Sequence, residues 1–315
     1  MTNFMFSFNV VVPLFVMMAI GYFMHQIHFL SNDFFAQLNR FVFKFLLPLM
    51  LFQEIRSSYH SDFSNTKLIL TAVSGIGAII LISSIIVKLT VKRKAQQGSM
   101  IQGIYRSNFL IYGIPLVTGM YGSGAISHVT MLMGIITPLH NVVAVVLLTL
   151  HSESEGSRIS TQKLLKEIAV NPLLIGAISG LLGGMIQLRF PPSVETPLNQ
   201  LGMMASPLAL FVMGGEFRFR SLRNNIYKVL AVTVSRLIII PVVMVFICIQ
   251  LGFRNVELSV LLTLFATPTA ITSYIMAKNM GNDGELSGQI VVLTTLLSSV
   301  TIFFIVLYLR SRGFL

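Results

Sequence analysis

The chain has 315 residues, 54% of them hydrophobic and only 10% charged, where an ordinary soluble domain carries about 25% charged residues. That composition excludes a soluble enzyme or binding module and points to an integral membrane protein. The net charge of +11 does not argue for nucleic acid, because basic residues concentrate in the cytoplasmic loops of membrane proteins anyway.

A helix needs about 20 mostly apolar residues to cross the hydrocarbon layer. Ten such stretches are expected, at residues 7–26, 38–55, 67–91, 99–120, 126–149, 171–188, 198–216, 226–250, 257–279 and 286–309. The first lacks a basic flank and is too long for a signal-peptide core, so it reads as a retained span. The polar stretch 151–170, with Glu153, Glu155, Arg158, Lys163, Lys166 and Glu167, divides a first five-helix unit (1–150) from a second (171–315). With the N-terminus outside, most Lys and Arg fall on one side: Arg40, the 88–94 cluster, Arg106, the 151–170 linker and the 218–228 cluster. The linker is therefore expected in the cytoplasm, both termini are expected on the non-cytoplasmic side, and the protein is expected to cross the cell membrane many times. Cys248 is the single cysteine, so no internal disulfide is possible and cysteine usage does not reveal a compartment.

A pattern recurs between the two units. Leu38-Asn39, eight residues, then Pro48-Leu49-x-Leu51-Phe52 returns as Leu198-Asn199, seven residues, then Pro207-Leu208-x-Leu210-Phe211. Because five helices is an odd number, the second copy enters the membrane upside down, an arrangement typical of secondary transporters. The fold class expected is an all-α membrane protein of ten transmembrane helices in two inverted five-helix repeats.

The fourth span reads Ser107-Asn108-Phe109-Leu110-Ile111-Tyr112-Gly113-Ile114-Pro115-Leu116, and the ninth Phe265-Ala266-Thr267-Pro268-Thr269-Ala270-Ile271-Thr272-Ser273-Tyr274. Proline removes a backbone donor and clashes with the carbonyl four residues earlier. Broken helices at equivalent positions of two repeats mark a transport site, so helices four and nine are expected to break at Pro115 and Pro268 and cross there. Tyr112 and Gly113 flank the first break; Thr267, Thr269, Thr272 and Ser273 flank the second, where their hydroxyls have either substrate or exposed backbone to bond. Opened helix N-termini attract an anion, and Asn108 has an amide to donate to a carboxylate. Pro13, Pro48, Pro138, Pro207 and Pro241 read as ordinary kinks.

Charges inside spans are costly and informative. Lys44 faces either an anion pathway or, by snorkelling, the interface. Arg236 is expected to pair with backbone or loop groups near a membrane face. Glu54 and Glu216 lie near helix ends, where a solvated carboxylate is the default. Asn141, beside His140, lines the pathway or joins helices. With no acidic pair in the broken helices, a coupling ion, H+ or Na+, has no evident seat beyond His140 or His25. The chain has no phosphate-loop motif, no His-Glu-x-x-His and no paired histidine spacing, so no enzyme, metal site or cofactor is expected.

Taken together, Asn39-Arg40-Phe41-Val42 before Pro48-Leu49, Asn108 with Gly113-Ile114-Pro115-Leu116 and Met120-Tyr121-Gly122, and Ala266, Pro268 and Met276-Ala277-Lys278 resemble the second, fourth and ninth helices of the auxin efflux carrier family, and the chain resembles a bacterial member. The resemblance covers nearly the whole chain. It implies an elevator-like carrier of organic anions, with scaffold and moving helices, a homodimer, crossover prolines at Pro115 and Pro268, and a substrate-contacting asparagine at Asn108. Thr269 replaces the family's usual glutamine and the long hydrophilic loop of the plant carriers is absent. The implied substrate is therefore a small carboxylate such as malate or malonate rather than auxin. A channel or a non-transporting sensor on the same scaffold is the alternative.

Overall fold

The computed structural model describes residues 2–58, 65–153, 166 and 168–315. Residues 154–165 and 167 of the expected linker lie outside them. The described residues are all-helical, with one isolated β-bridge, Ser107 to Thr269, in place of strands.

In chain order the helices are α1 (Thr2–Gln26), α2 (Asn32–Ser58), α3 (Thr66–Thr90), α4 (Lys94–Tyr105), α5 (Phe109–Tyr121), α6 (Ile126–Leu150), α7 (Pro172–Met185), α8 (Pro192–Met203), α9 (Ala205–Glu216), α10 (residues 219–250), α11 (Asn255–Ala266), α12 (Thr272–Asn279) and α13 (Gly284–Ser311). Their starts follow local chemistry. Ser31, Asn65, Asn171 and Asp283 each accept a hydrogen bond from a first-turn amide of α2, α3, α7 and α13, satisfying donors a helix leaves open. Among the described residues, α2, α3, α6, α13 and residues 222–250 of α10 are long and apolar enough to span a bilayer. Large apolar side chains stand exposed along them, such as Leu70, Leu81 and Leu89 of α3, Phe246 of α10 and Phe304 of α13, as lipid-facing surfaces require.

Two prolines read as kinks follow wider turns. Residues Val42–Leu46 of α2 and Ser235–Ile239 of α10 are π-helical, with Leu47 N–H bonding to Val42 O and Ile240 N–H to Ser235 O. Pro48 and Pro241 come one residue beyond, and the widened turn relieves the clash a proline ring makes with the preceding turn. Lys44 and Arg236 sit in these turns.

Two tight packings frame the molecule. α1 lies against α9 and α2 against α7. At Gly21 a β-carbon would stand 2.0 Å from the Phe211 carbonyl oxygen, and at Gly180 a β-carbon would stand 2.8 Å from the Phe52 carbonyl oxygen. Only glycine permits that approach, which is how membrane helices gain close packing. α8 packs on α2 and α9, while α6, α10 and α13 pack against the helices that flank the meeting of α4–α5 with α11–α12.

That meeting differs from the expectation in one respect. The chain leaves helix between α11 and α12 at Thr267 to Ile271, which includes Pro268, but between α4 and α5 it leaves helix at Arg106 to Asn108. Pro115 lies inside the continuous helix α5, so it is not the break. The reason is the partner segment: Asn108 N–H donates to Pro268 O at 2.8 Å and Ala270 N–H to Arg106 O at 3.1 Å. Backbone groups released at 106–108 find partners across the crossing.

Candidate functional site at the crossing

Residues 106–108 and 268–270 form a two-stranded antiparallel crossing, and α5 and α12 each begin directly beyond it. A small cleft opens there. Its polar lining includes Glu54 from α2, Arg106, Ser107 and Asn108 from the crossing, His140 and Asn141 from α6, and Thr272 at the start of α12; Met50, Leu51 and Ile136 supply apolar wall. The N-terminal ends of α5 and α12 both reach this cleft, so their partial positive charges add on the same side.

Arg106 is buried and held by uncharged groups. Its Nη2 donates to Asn141 Oδ1 at 2.6 Å, and Asn141 Nδ2 in turn donates to Thr137 O at 2.8 Å. Nη1 donates to the Met276 sulfur and, with the Gln102 amide oxygen turned toward it, to Gln102 at 3.0 Å. No carboxylate lies within salt-bridge distance of Arg106 among the described residues. Two residues away, Asn108 Nδ2 is buried without a partner, as is Glu54 Oε2. A guanidinium without a counter-ion and an amide with an unused donor are groups that can still donate hydrogen bonds to a further partner.

Arg236 organises the other side of the crossing. Its guanidinium, entirely buried, donates to Thr267 O at 2.8 Å, Leu264 O at 3.1 Å, Ile104 O at 3.2 Å and Tyr105 O at 3.4 Å. One side chain thereby caps the C-terminal ends of both α4 and α11, where a cation is favoured. The expectation of backbone pairing holds, but the place is the molecule's centre rather than a membrane face.

The residues singled out from sequence divide. Asn108 and Asn141 line the cleft. Pro268 offers its carbonyl to Asn108, and Thr269 donates its hydroxyl to Gly103 O at 2.7 Å, closing backbone rather than facing the cleft. Thr272 reaches the cleft wall. Thr267 Oγ1 and Ser273 Oγ are fully buried without partners, outside the cleft lining. Tyr112 turns away to pack with Leu116, Val245, Leu262 and Ile302, its hydroxyl 3.5 Å from Ser298 Oγ. Gly113 packs against Met133 and Val129 of α6. Lys44 is exposed and does not line the cleft. His25 lies in a separate cleft with Glu216, Tyr274 and Lys278, bonded to Asn32 at 3.0 Å. Glu216 is not simply solvated, for it accepts from Tyr274 Oη and Lys278 Nζ.

Sequence reasoning assigned Arg106 to a loop and Glu54 to a solvated end, and so missed both. For Arg106 a signal was present: it falls within the apolar stretch 99–120, two residues before Asn108.

A chain that is all-helical among its described residues, with several helices of bilayer length, is a multi-pass membrane protein, and the proteins it matches make it a transporter rather than an enzyme. Residues 6–306 match the family described as "Membrane transport protein", and the chain belongs to that family, the auxin efflux carriers its sequence resembles. It is similar to an "Uncharacterized transporter" of Methanothermobacter thermautotrophicus, 27% identical over 95% of this chain and 97% of the relative. It is also similar to a "Putative malonate transporter" of Rhizobium meliloti, 21% identical over 96% of each chain.

Proposed function

We propose that this protein is a secondary transporter that carries a small carboxylate, such as malonate or malate, through the crossing by elevator-like alternating access. The observation that carries the reading is Arg106, a buried guanidinium with no carboxylate partner, beside the unpartnered amide of Asn108 and the N-terminal ends of α5 and α12. A carboxylate seated there takes charge-assisted hydrogen bonds from both side chains. The name of the Rhizobium meliloti relative supports the substrate class.

Ten spans in two inverted repeats fit the packing. Gly21 against Phe211 and Gly180 against Phe52 are the same contact displaced by about 160 residues, with the partners exchanged between halves. The crossing segments 106–108 and 268–270 carry a similar displacement. In this reading α1, α2 and α7 to α9 form the frame, the other helices move, and the cleft lies between them. A cytoplasmic linker, termini on the opposite side, a homodimer and H+ or Na+ as the coupling ion complete the proposal.

The test is uptake of radiolabelled malonate and malate into proteoliposomes under imposed proton or sodium gradients. Saturable uptake driven by one gradient is expected; absence of uptake for a panel of carboxylates, with folded protein in the vesicles, would remove the reading.

A further inference from the structure

Glu54 lines the same cleft as Arg106 and Asn108, yet a carboxylate is a poor neighbour for an anion. Its Oε2 is buried and has no hydrogen-bond partner. Glu54 and Arg106 line one cleft without forming an ion pair, so a gap separates the single negative and single positive side chain facing it. A bare dianion would put a second carboxylate toward Glu54, and two ionised carboxylates in one confined site repel. A group that donates a hydrogen bond would instead meet the unused oxygen.

Resting on the transport reading above, we propose that Glu54 makes the site selective for a singly charged acid: the hydrogen dicarboxylate form, one carboxylate on Arg106 and Asn108 and the far carboxyl O–H donating to Glu54. The proton lies between two carboxyl groups, and it leaves with the substrate as the acid's own O–H bond. Each dicarboxylate then crosses with one proton and one net negative charge.

The other charged groups near this part of α2 are accounted for. His140 of α6 faces the same cleft, with Nε2 buried and unpartnered. His128 lies about 18 Å further along α6, outside the cleft lining. Arg56 of α2 donates to Glu195 of α8, to Gln53 and to Leu188 O. α7 carries no titratable side chain, Glu216 of α9 holds Lys278 and Tyr274, and Lys44 is exposed.

The experiment is exchange of radiolabelled malonate in proteoliposomes at equal pH on both sides, from about pH 5 to about pH 8, a range spanning carboxyl to carboxylate forms. Wild type is expected to lose apparent affinity for total malonate by tenfold or more across it, and Glu54→Gln to vary by no more than about twofold. Should E54Q lose all exchange, Glu54→Asp decides, since it keeps a carboxylate and is expected to retain the pH dependence; a flat E54D overturns the proposal. It is also overturned if E54Q follows wild type, if wild type is flat, or if His140→Gln rather than E54Q abolishes the dependence. L-aspartate outcompeting malonate in wild type but not in E54Q would overturn it in favour of an ammonium group on Glu54. No exchange of any carboxylate by wild type defeats the transport reading and this proposal with it, an outcome distinct from the others.

Discussion

Arg106 and Asn141 are joined at 2.6 Å, Nη2 to Oδ1, and Asn141 is itself anchored to the Thr137 carbonyl. The guanidinium is thus aimed from α6, and Arg106 lines the cleft. Replacing it by Gln removes the positive charge, and hydrogen bonds to charged groups contribute about 1.5–3 kcal/mol. Arg106→Gln should therefore weaken half-saturation for malonate by about 10- to 150-fold. Arg106→Lys should not restore it, because a single ammonium cannot hold Asn141 and the substrate in a planar fork. Exchange kinetics at matched protein levels check both.

Asn108→Ala deletes a buried donor with no partner of its own. The folded protein loses nothing it was using, so thermal stability in detergent should hold while affinity for the anion falls about tenfold or more, by the same magnitude of charge-assisted bond. Unchanged affinity would sink the assignment.

Arg236→Met should act in the opposite sense, on the fold first. It strands the carbonyls of Ile104, Tyr105, Leu264 and Thr267, and each unsatisfied buried group costs about 1–3 kcal/mol. A large fall in melting temperature or loss of the monodisperse peak is expected. Lys44→Gln, at an exposed position, should leave both within experimental scatter.

The two family prolines should not behave alike. Pro115 lies within continuous α5, so Pro115→Ala should leave transport within about twofold, consistent with a restored helix hydrogen bond. Pro268→Ala adds an N–H at the crossing, where Pro268 presents only its carbonyl to Asn108, and should lower transport more. Equal effects in paired uptake assays would contradict this placement.

Gly21→Leu and Gly180→Leu should each destabilise the protein strongly, since the new side chains enter backbone at Phe211 and Phe52. Gly77→Leu, which meets open space, is the comparison expected to be tolerated. Melting temperatures of the three variants decide it.

Much of the helical frame was legible because a span of apolar residues has one meaning in this composition. The five helices long and apolar enough to span a bilayer, α2, α3, α6, α13 and residues 222–250 of α10, overlap five of the predicted stretches, and the chain leaves helix within the fourth and ninth. The break beside Asn108 was misplaced because proline chemistry is local, whereas the break follows from backbone bonds to Pro268 and Ala270, far off in the chain. Arg106 and Glu54 were missed for a related reason: charge was judged by nearness to a span end, while their role depends on which cleft they line. Arg236 was seen as unusual, but which carbonyls it serves is a property of two helix ends meeting.

The reach of Arg236 also bears on how the protein is made. Ile104 and Tyr105 emerge from the ribosome long before the side chain that satisfies their carbonyls, which lies 132 and 131 residues later. Until then the end of α4 has no partner that lipid can replace, so the first half cannot finish assembling as it is inserted. Final closure waits on synthesis of α10, and a translation product ending before it should remain sensitive to protease even when every earlier span has entered the bilayer.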